Sequence, residues 1–422
     1  METLHLFDAP ASPPARRFRL LHTSDWHLGQ HFMGRTRQAE HQAFCAWLVA
    51  QVRLHAVDAV VIAGDVFDTG TPPSYAREQY NDFVLALRDT GARLVVLGGN
   101  HDSAAMLGES RGLLAALDAQ VIPASAEDAS DQVVVLRHRD GKPGAVLCAI
   151  PYLRPRDLLR SEGGQSAQEK QRSLQQAIQA HYATVYELAE ARRQTLRADL
   201  PIIATGHLTT VGASASESVR EIYVGALEAF PTNAFPPADY IALGHIHRPQ
   251  AVGGEEHIRY CGSPIALAFD ESAQQKQVLL VDFEGASLRS VEPLLIPVFQ
   301  PLASLKGSLA ELAETLPERA ATLEADVRLW LEVVVTQDDY LADLQPRINA
   351  LCEGLSVDVL RVRRERKNLA PGLQGDASET LDELDPHDVF ERRLSSESLD
   401  DELAGRLRDM HREVLSTLSE TD

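Results

Sequence analysis

"VVLGGNHDS", Val95–Ser103, decides how the chain is read. The apolar run Leu94–Leu97 leads into Gly98-Gly99, and Asn100, His101, Asp102 and Ser103 then arrive together. A turn favours Gly and Asn because both tolerate left-handed backbone. It has no use for His-Asp behind them. Continuous apolar residues mark a strand covered on both faces, as in a parallel sheet, and such sheets bind ligands beyond the carboxyl ends of their strands.

Four more apolar strands end the same way. "RFRLLHTSDWHLG" (Arg17–Gly29) delivers Asp25-Trp26-His27. "DAVVIAGDVFDTG" (Asp58–Gly70) delivers Gly64-Asp65. "LPIIATGHLTT" (Leu200–Thr210) delivers His207, and "ADYIALGHIHRPQ" (Ala238–Gln250) delivers His245-Ile246-His247. Side chains i and i+2 leave a strand on one face, so Asp25 can converge with His27, and His245 with His247. Trp26 then points the other way and reads as packing behind the ligands. Gly-His alone is an ordinary turn beside a surface histidine, and Asp-x-His alone is weak. Five such endings, each directly after an apolar strand, do not read as five independent turns.

The donors are Asp, Asn and His, without Cys. Mixed oxygen and imidazole donors suit Mn²⁺, Fe²⁺ or Zn²⁺ better than Ca²⁺ or Mg²⁺. They outnumber what one ion needs. Two ions roughly 3.5–4 Å apart need a shared carboxylate, and Asp65 is the natural bridge. Such a pair activates water for phosphoryl transfer, and an imidazole outside the ligand set can protonate the leaving group or stabilise the charged transition state.

Helical periodicity in Arg37–Val57 and Tyr75–Gly91 alternates with these strands. "QVVVLRHRDG" and "AVLCAIPYL" read as a hairpin, and the polar stretch 163–200 as helical. From about residue 292 the pattern becomes a small α+β unit ending in the basic run Leu360–Asn368. Its Arg361, Arg363, Arg364, Arg366 and Lys367 are candidate phosphate contacts, against the plainer reading of a solvated strand face. Residues 371–380 have a linker's composition. In 381–422, Leu399, Leu403, Leu407, Met410, Val414 and Leu418 form one apolar stripe at helical spacing, with Ser398 a candidate cap. The expected division is therefore a leader over 1–16, an α/β domain over 17–291, a small α+β domain over 292–370, the linker 371–380, and a helical segment over 381–422.

With 422 residues, two or three domains are expected. A net charge of −21 disfavours nucleic acid at first sight. The charge is uneven, however: 371–422 holds 15 Asp/Glu against 5 Arg, about half the excess. Bound cations would offset more of it locally. Four scattered cysteines without a CxxC pair argue against a disulfide framework and fit a reducing cytoplasm. No apolar run approaches a membrane span, and the N-terminal residues lack a signal peptide's apolar core.

The ordered blocks D-x-H, G-D, G-N-H-D, H and G-H-x-H resemble those of the calcineurin-like metallophosphoesterases, without a departure. Finer matches in "GDVFDTGTPPSYAR", "PYLRPRD", "YVGALEAFP" and "YCGSPIALAFDE" resemble the bacterial DNA nuclease subunits of that superfamily. The resemblance implies an α/β, four-layer α/β/β/α core and two Mn²⁺ ions, with Mg²⁺, Fe²⁺ or Zn²⁺ as alternatives. It implies one ion on Asp25, His27, Asp65 and His247, and the other on Asp65, Asn100, His207 and His245. His101 would act on the phosphate without binding metal, oriented by Asp102. It further implies that 17–291 is the nuclease domain, that 292–370 is a cap contacting DNA through its basic strand, and that the protein has exonuclease and hairpin-endonuclease activity on DNA, hence work at the nucleoid. A coiled-coil ATPase partner would be held by the C-terminal helices, and a homodimer within a heterotetramer would form through helices such as Tyr75–Gly91. The rival expectation is a phosphoesterase for small phosphodiesters or nucleotides, which needs neither the cap nor the tail. A third is a scaffold that keeps the fold without metals, against which the intact ligand blocks speak.

Overall fold

A computed structural model describes residues 17–159, 166–219, 229–321, 323, 327–336, 343–365, 390, 394 and 405–411. Strand β1 (Arg17–Thr23) is followed by the small ribbon β2 (His31–Phe32) and β3 (Arg35–Thr36), helix α1 (Gln38–Leu54), β4 (Ala59–Ile62), α2 (Ser74–Arg88) and β5 (Arg93–Leu97). Short helices α3 (Ala104–Gly108) and α4 (Arg111–Ala115) lead to β6 (Ala119–Ile122). A second series follows: β7 (Val133–Arg137), β8 (Pro143–Cys148), α5 (Pro155–Leu158), α6 (Ala167–Leu196), β9 (Ile202–His207), β10 (Tyr240–Gly244), β11 (Gln250–Val252) and β12 (Glu255–Tyr260). The hairpin β13 (Gln277–Glu284) and β14 (Ser287–Leu295) returns to the first sheet.

The two six-stranded sheets have the orders β14-β13-β1-β4-β5-β6 and β11-β12-β10-β9-β8-β7. Pairings β1–β4, β4–β5 and β5–β6 are parallel in the first sheet, as are β8–β9, β9–β10 and β10–β12 in the second. Burial on both faces explains the unbroken apolar runs. Val60 and Ile62 of β4 pack outward with α1 and α2, whereas Ala59 and Val61 face the second sheet. Ile202 and Ala204 of β9 pack outward with α6, and Ile203 faces inward. The order of layers is therefore α/β/β/α.

Helix α6 gives the polar stretch over 163–200 its role. Leu174, Ile178, Tyr182, Val185 and Ala189 make one buried stripe over the second sheet. Its start is fixed by a capping box between Ser166 and Glu169.

The two-sheet domain extends past the boundary expected at residue 291. Strand β14 pairs with β13 as far as Leu295, and Ile296 is buried in the outer core. The strand was missed because it lies at an edge and is mostly solvent-facing. The cap begins with β15 (Leu302–Gly307) and continues through α7 (Leu309–Ala321), β16 (Leu329–Val335), α8 (Leu344–Leu351) and β17 (Val357–Arg364). Its three strands are parallel, in the order β15-β16-β17, over a core of its own.

The leader, the linker, Arg366 and Lys367 lie outside the described residues, as do Ser398, Leu399, Leu403, Val414 and Leu418 of the tail. Of the apolar stripe, Leu407 and Met410 fall on the described helical turn 405–411, where Met410 is exposed. Among the described residues no helix is long and apolar enough to cross a membrane.

Candidate metal centre and its surroundings

All five predicted strand ends meet at one edge of the two sheets. Sheet one supplies Asp25 and His27 after β1, Asp65 after β4, and Asn100–Asp102 after β5. Sheet two supplies His207 at the end of β9 and His245 and His247 after β10. Asp25, His27, Asp65 and His245 have positive φ, at 55°, 49°, 50° and 92°. Non-glycine residues pay about 1–2 kcal/mol for that region, so four strained residues in one site mark a functional constraint. Two glycines make the approach possible. A Cβ on Gly64 would lie 2.2 Å from His207 Nδ1, and one on Gly99 would lie 2.1 Å from Asp65 Oδ1.

Among the described residues, three groups have their donor atoms within 4.8 Å of one another: the triads Asp25–His27–His247 and Asp65–His207–His245, and His27–Asp68–His101 beside the first. Asp65 reaches both of the first two: its Oδ2 is 3.6 Å from His27 Nε2 and 3.2 Å from His207 Nε2. Asn100 Oδ1 is 3.0 Å from His207 Nε2 and 3.2 Å from His245 Nδ1. All these residues except Asn100 are buried, with Asn100 half-buried.

The histidines are turned for coordination. His207 Nδ1 lies 2.9 Å from the Ala63 carbonyl, and His247 Nδ1 2.6 Å from Ser218 Oγ. An Nδ1 that donates outward leaves the Nε2 lone pair for the site. Nε2 of His27 and Nε2 of His245 are buried without a hydrogen-bond partner, whereas His27 Nδ1 faces the Asp68 carboxylate. Orphaned imidazole nitrogens beside carboxylates suit a transition-metal pair, so the donor set fits the ions the sequence implied.

The electrostatics are those of a tight Asp–His cluster. Burial opposes the charged form of His207, but the adjacent Asp65 carboxylate outweighs it, and its pKa is raised to about 9. Burial would raise Asp65, yet His207 and His27 hold it well below the usual carboxylate range. His245 is pushed down by burial and by His207. Asp102 is raised to about 6 by burial and the nearby Asp65 charge, although three backbone N–H groups favour its ionised form.

His101 stands against the first triad, its ring centroid 4.6 Å from that of His27. Asp102 is expected to orient it, and the hydrogen bond seen at its Nδ1 goes to a different residue. His101 Nδ1 bonds to the Asp68 carbonyl oxygen at 2.8 Å. The Asp102 carboxylate instead accepts from the backbone N–H groups of Gly99, Val66 and Phe67, at 2.8, 3.1 and 3.0 Å. Adjacent side chains diverge from the backbone, so the neighbour in sequence is not the neighbour in space. Asp102 ties the loop after β5 to the loop after β4.

Sequence reading missed Asp68, whose Oδ1 lies 3.2 Å from His27 Nδ1 while its carbonyl holds His101. Its position in Gly64-Asp65-Val66-Phe67-Asp68 was the available signal. Also missed were Ser218, Glu271 and Lys276, which stand behind His247. Trp26 is fully buried against Phe44 and Phe83, with its indole N–H on Thr23 Oγ1, as packing behind the ligands.

On the basic strand β17, Arg361 and Arg363 both turn to Glu332, at 2.5 and 3.0 Å. Glu332 is buried on the neighbouring strand, directly opposite Arg361 in the register. A buried carboxylate needs such partners, and Glu332 anchors both guanidinium groups at the strand. Arg364 is exposed.

Comparison with known proteins agrees with this geometry. Residues 18–249 match the calcineurin-like phosphoesterase family, more than half of the chain, and the chain belongs to that family. Residues 298–398 match a second family described as a type 5 capsule protein repressor C-terminal domain. The chain is 53% identical to the SbcD subunit of the SbcCD nuclease of Escherichia coli K12 over 403 residues, covering 95% of this chain and 98% of that one. The same-named proteins of Rhodobacter capsulatus and Bacillus subtilis are 34% and 29% identical, covering 72% and 77% of this chain and 75% and 80% of theirs. Within the phosphoesterases, the chain is thus a member of the SbcD nucleases, metal-dependent phosphodiesterases.

Proposed function

We propose that this chain hydrolyses DNA phosphodiesters with two Mn²⁺ ions, trimming duplex ends and opening hairpins. Asp25, His27, Asp65 and His247 would hold one ion, and Asp65, Asn100, His207 and His245 the other. The observation that carries this reading is the pair of triads joined through Asp65. When bound, the ions supply an activated water and neutralise charge on the scissile phosphate. His101 donates Nδ1–H to the Asp68 carbonyl and, once the ring is protonated to the imidazolium, presents Nε2–H to donate to a phosphate or leaving oxygen. Burial of the carboxylates and imidazoles keeps competing water from them.

The relatives' name supports assembly with an SbcC-like ATPase; the segment 381–422 as its binding element and a homodimer at the centre of the complex are part of the same proposal and rest on the family resemblance. The cap, through exposed Arg364, is the proposed DNA-facing element. In the test, end-labelled duplex and hairpin DNA is incubated with the purified chain plus Mn²⁺, Mg²⁺ or EDTA. Mn²⁺-dependent cleavage that EDTA abolishes is expected. Turnover of an aryl phosphodiester without DNA cleavage, even with the ATPase partner added, would overturn the DNA assignment.

A further inference from the structure

The outer partner of His247 differs in kind from that of His207. Ala63, which holds His207, is core backbone. His247 depends on side chains drawn from two separate segments. Ser218 Oγ, 2.6 Å from His247 Nδ1, also hydrogen-bonds to Glu271 Oε1, which takes a second bond from Ser216 Oγ at 2.8 Å. Glu271 Oε2 accepts from Lys276 Nζ at 2.6 Å and from the Leu267 N–H at 3.0 Å. Lys276 Nζ in turn reaches Ser263 Oγ at 2.9 Å and the His247 carbonyl at 3.2 Å. Glu271 and Lys276 are both buried.

This network leaves one proton arrangement. A carboxylate paired with a lysine only accepts. Ser218 must therefore donate its hydroxyl hydrogen to Glu271. Its lone pair must then accept from His247 Nδ1–H, which turns the Nε2 lone pair into the site. The relay does for His247 what the Ala63 carbonyl does for His207.

The cap rests on both segments of this relay. Phe269, two residues before Glu271, packs with Phe32 and Leu302 in a small core joined by Trp330 and Leu360 of the cap. The Arg361 guanidinium lies 5.3 Å from the Phe269 ring centroid and 4.0 Å from the carboxylate of Glu217, the residue before Ser218. The Glu217 N–H bonds to Asp270 Oδ2 at 3.0 Å, tying the two segments together. One cap side chain thus touches the segment bearing Ser218 and the turn bearing Glu271.

We propose that Ser218, Glu271 and Lys276 position His247 for metal, and that Arg361 clamps their two segments so that a seated cap sets the affinity of that ion. The inference rests on the proposed role of His247 as a ligand. It makes Arg361 a positioning residue at the seam.

The test is Mn²⁺ titration of the full chain, followed by the electron paramagnetic resonance signal of free Mn²⁺. Unaltered protein should bind two ions. Ser218→Ala should weaken one of them by about 10-fold or more, the usual size for losing a ligand's outer partner, and leave the other unchanged. Ser218→Thr, which keeps the hydroxyl, should restore it. Arg361→Met, which keeps an apolar stem over Phe269, should weaken the same ion several-fold. His247→Ala is the control: if it retains both ions, the ligand assignment itself fails. If His247→Ala loses one ion while Ser218→Ala binds like the unaltered chain, the relay is wrong. If only Arg361→Met matches the unaltered chain, the clamp is wrong.

Discussion

Asp102 offers the sharpest separation of two roles for the loop after β5. Its carboxylate accepts three buried backbone N–H groups: Val66 and Gly99 at Oδ2, and Phe67 at Oδ1. Asp102→Ala strands all three donors. A buried unsatisfied N–H costs about 1–3 kcal/mol, so at about 1.5 each the loss is roughly 4–5 kcal/mol, at the upper end for a point substitution. Asp102→Asn keeps one acceptor oxygen, which can serve Val66 and Gly99 while its amide faces Phe67 N–H. That leaves one donor unpaired and a loss of about 1–2 kcal/mol. Because these donors lie on the loops carrying Asp65 and Asn100, both substitutions should also weaken Mn²⁺ binding. Chemical unfolding measures the stability change, and Mn²⁺ titration measures the affinity. If Asp102→Asn left stability and both metal affinities intact and lowered only turnover, Asp102 would be acting on His101, and the loop-tie argument would be refuted.

His101→Ala should keep both ions and lose most hydrolysis; loss of an ion would show that the ring is a ligand. Asp65→Ala should lose metal binding as well as activity, because its Oδ2 faces donors of both triads. Val60→Ala and Val61→Ala should each cost about 2 kcal/mol, but only Val61→Ala, in the core between the sheets, should also lower metal affinity. Equal affinities for the two variants would count against that separation. His41 is held to about 3 by burial and by Arg37, below its unfolded value of about 6.5. Its contribution is present above pH ~6.5 and lost as pH falls toward 3, by about 2 kcal/mol at pH 5; His41→Gln should flatten the unfolding stability between pH 7 and 5, and an unchanged slope would contradict this.

The strand ends were legible because three signals coincide: apolar runs buried on both faces, glycines where backbone must approach side chains, and donors at i and i+2. What escaped reading depends on register and long-range contact. The pairing of Arg361 with Glu332 could not be read because Glu332 lies on another strand, and only the β16–β17 register sets them opposite. Glu271 and Ser218 are 53 residues apart and share no periodicity. Strand β14 carries an edge strand's polar residues and so offered no core signal. Asp102 was assigned to its sequence neighbour, although its side chain leaves in another direction.

The two sheets contribute unlike chemistry to the centre. Sheet one brings Asp25, Asp65 and Asn100 together with His27, whereas the donors from sheet two are all imidazoles. Each proposed ion draws on both. The second takes two donors from each sheet, so neither sheet alone could hold it, and the first takes its fourth donor, His247, from sheet two. The distance between the donor rows is set by the inter-sheet core of Leu20, Val61, Val95, Ile203 and Ala242. Close-packed interiors transmit volume changes instead of absorbing them. The strained backbone at Asp25, His27, Asp65 and His245 is therefore maintained by packing between sheets that would associate for apolar reasons alone. The cap adds a second link to this centre: Arg361 touches both segments behind His247, whose Nδ1 is held by the Ser218–Glu271 pair. Seating of the cap and orientation of His247 are therefore joined through the same few contacts.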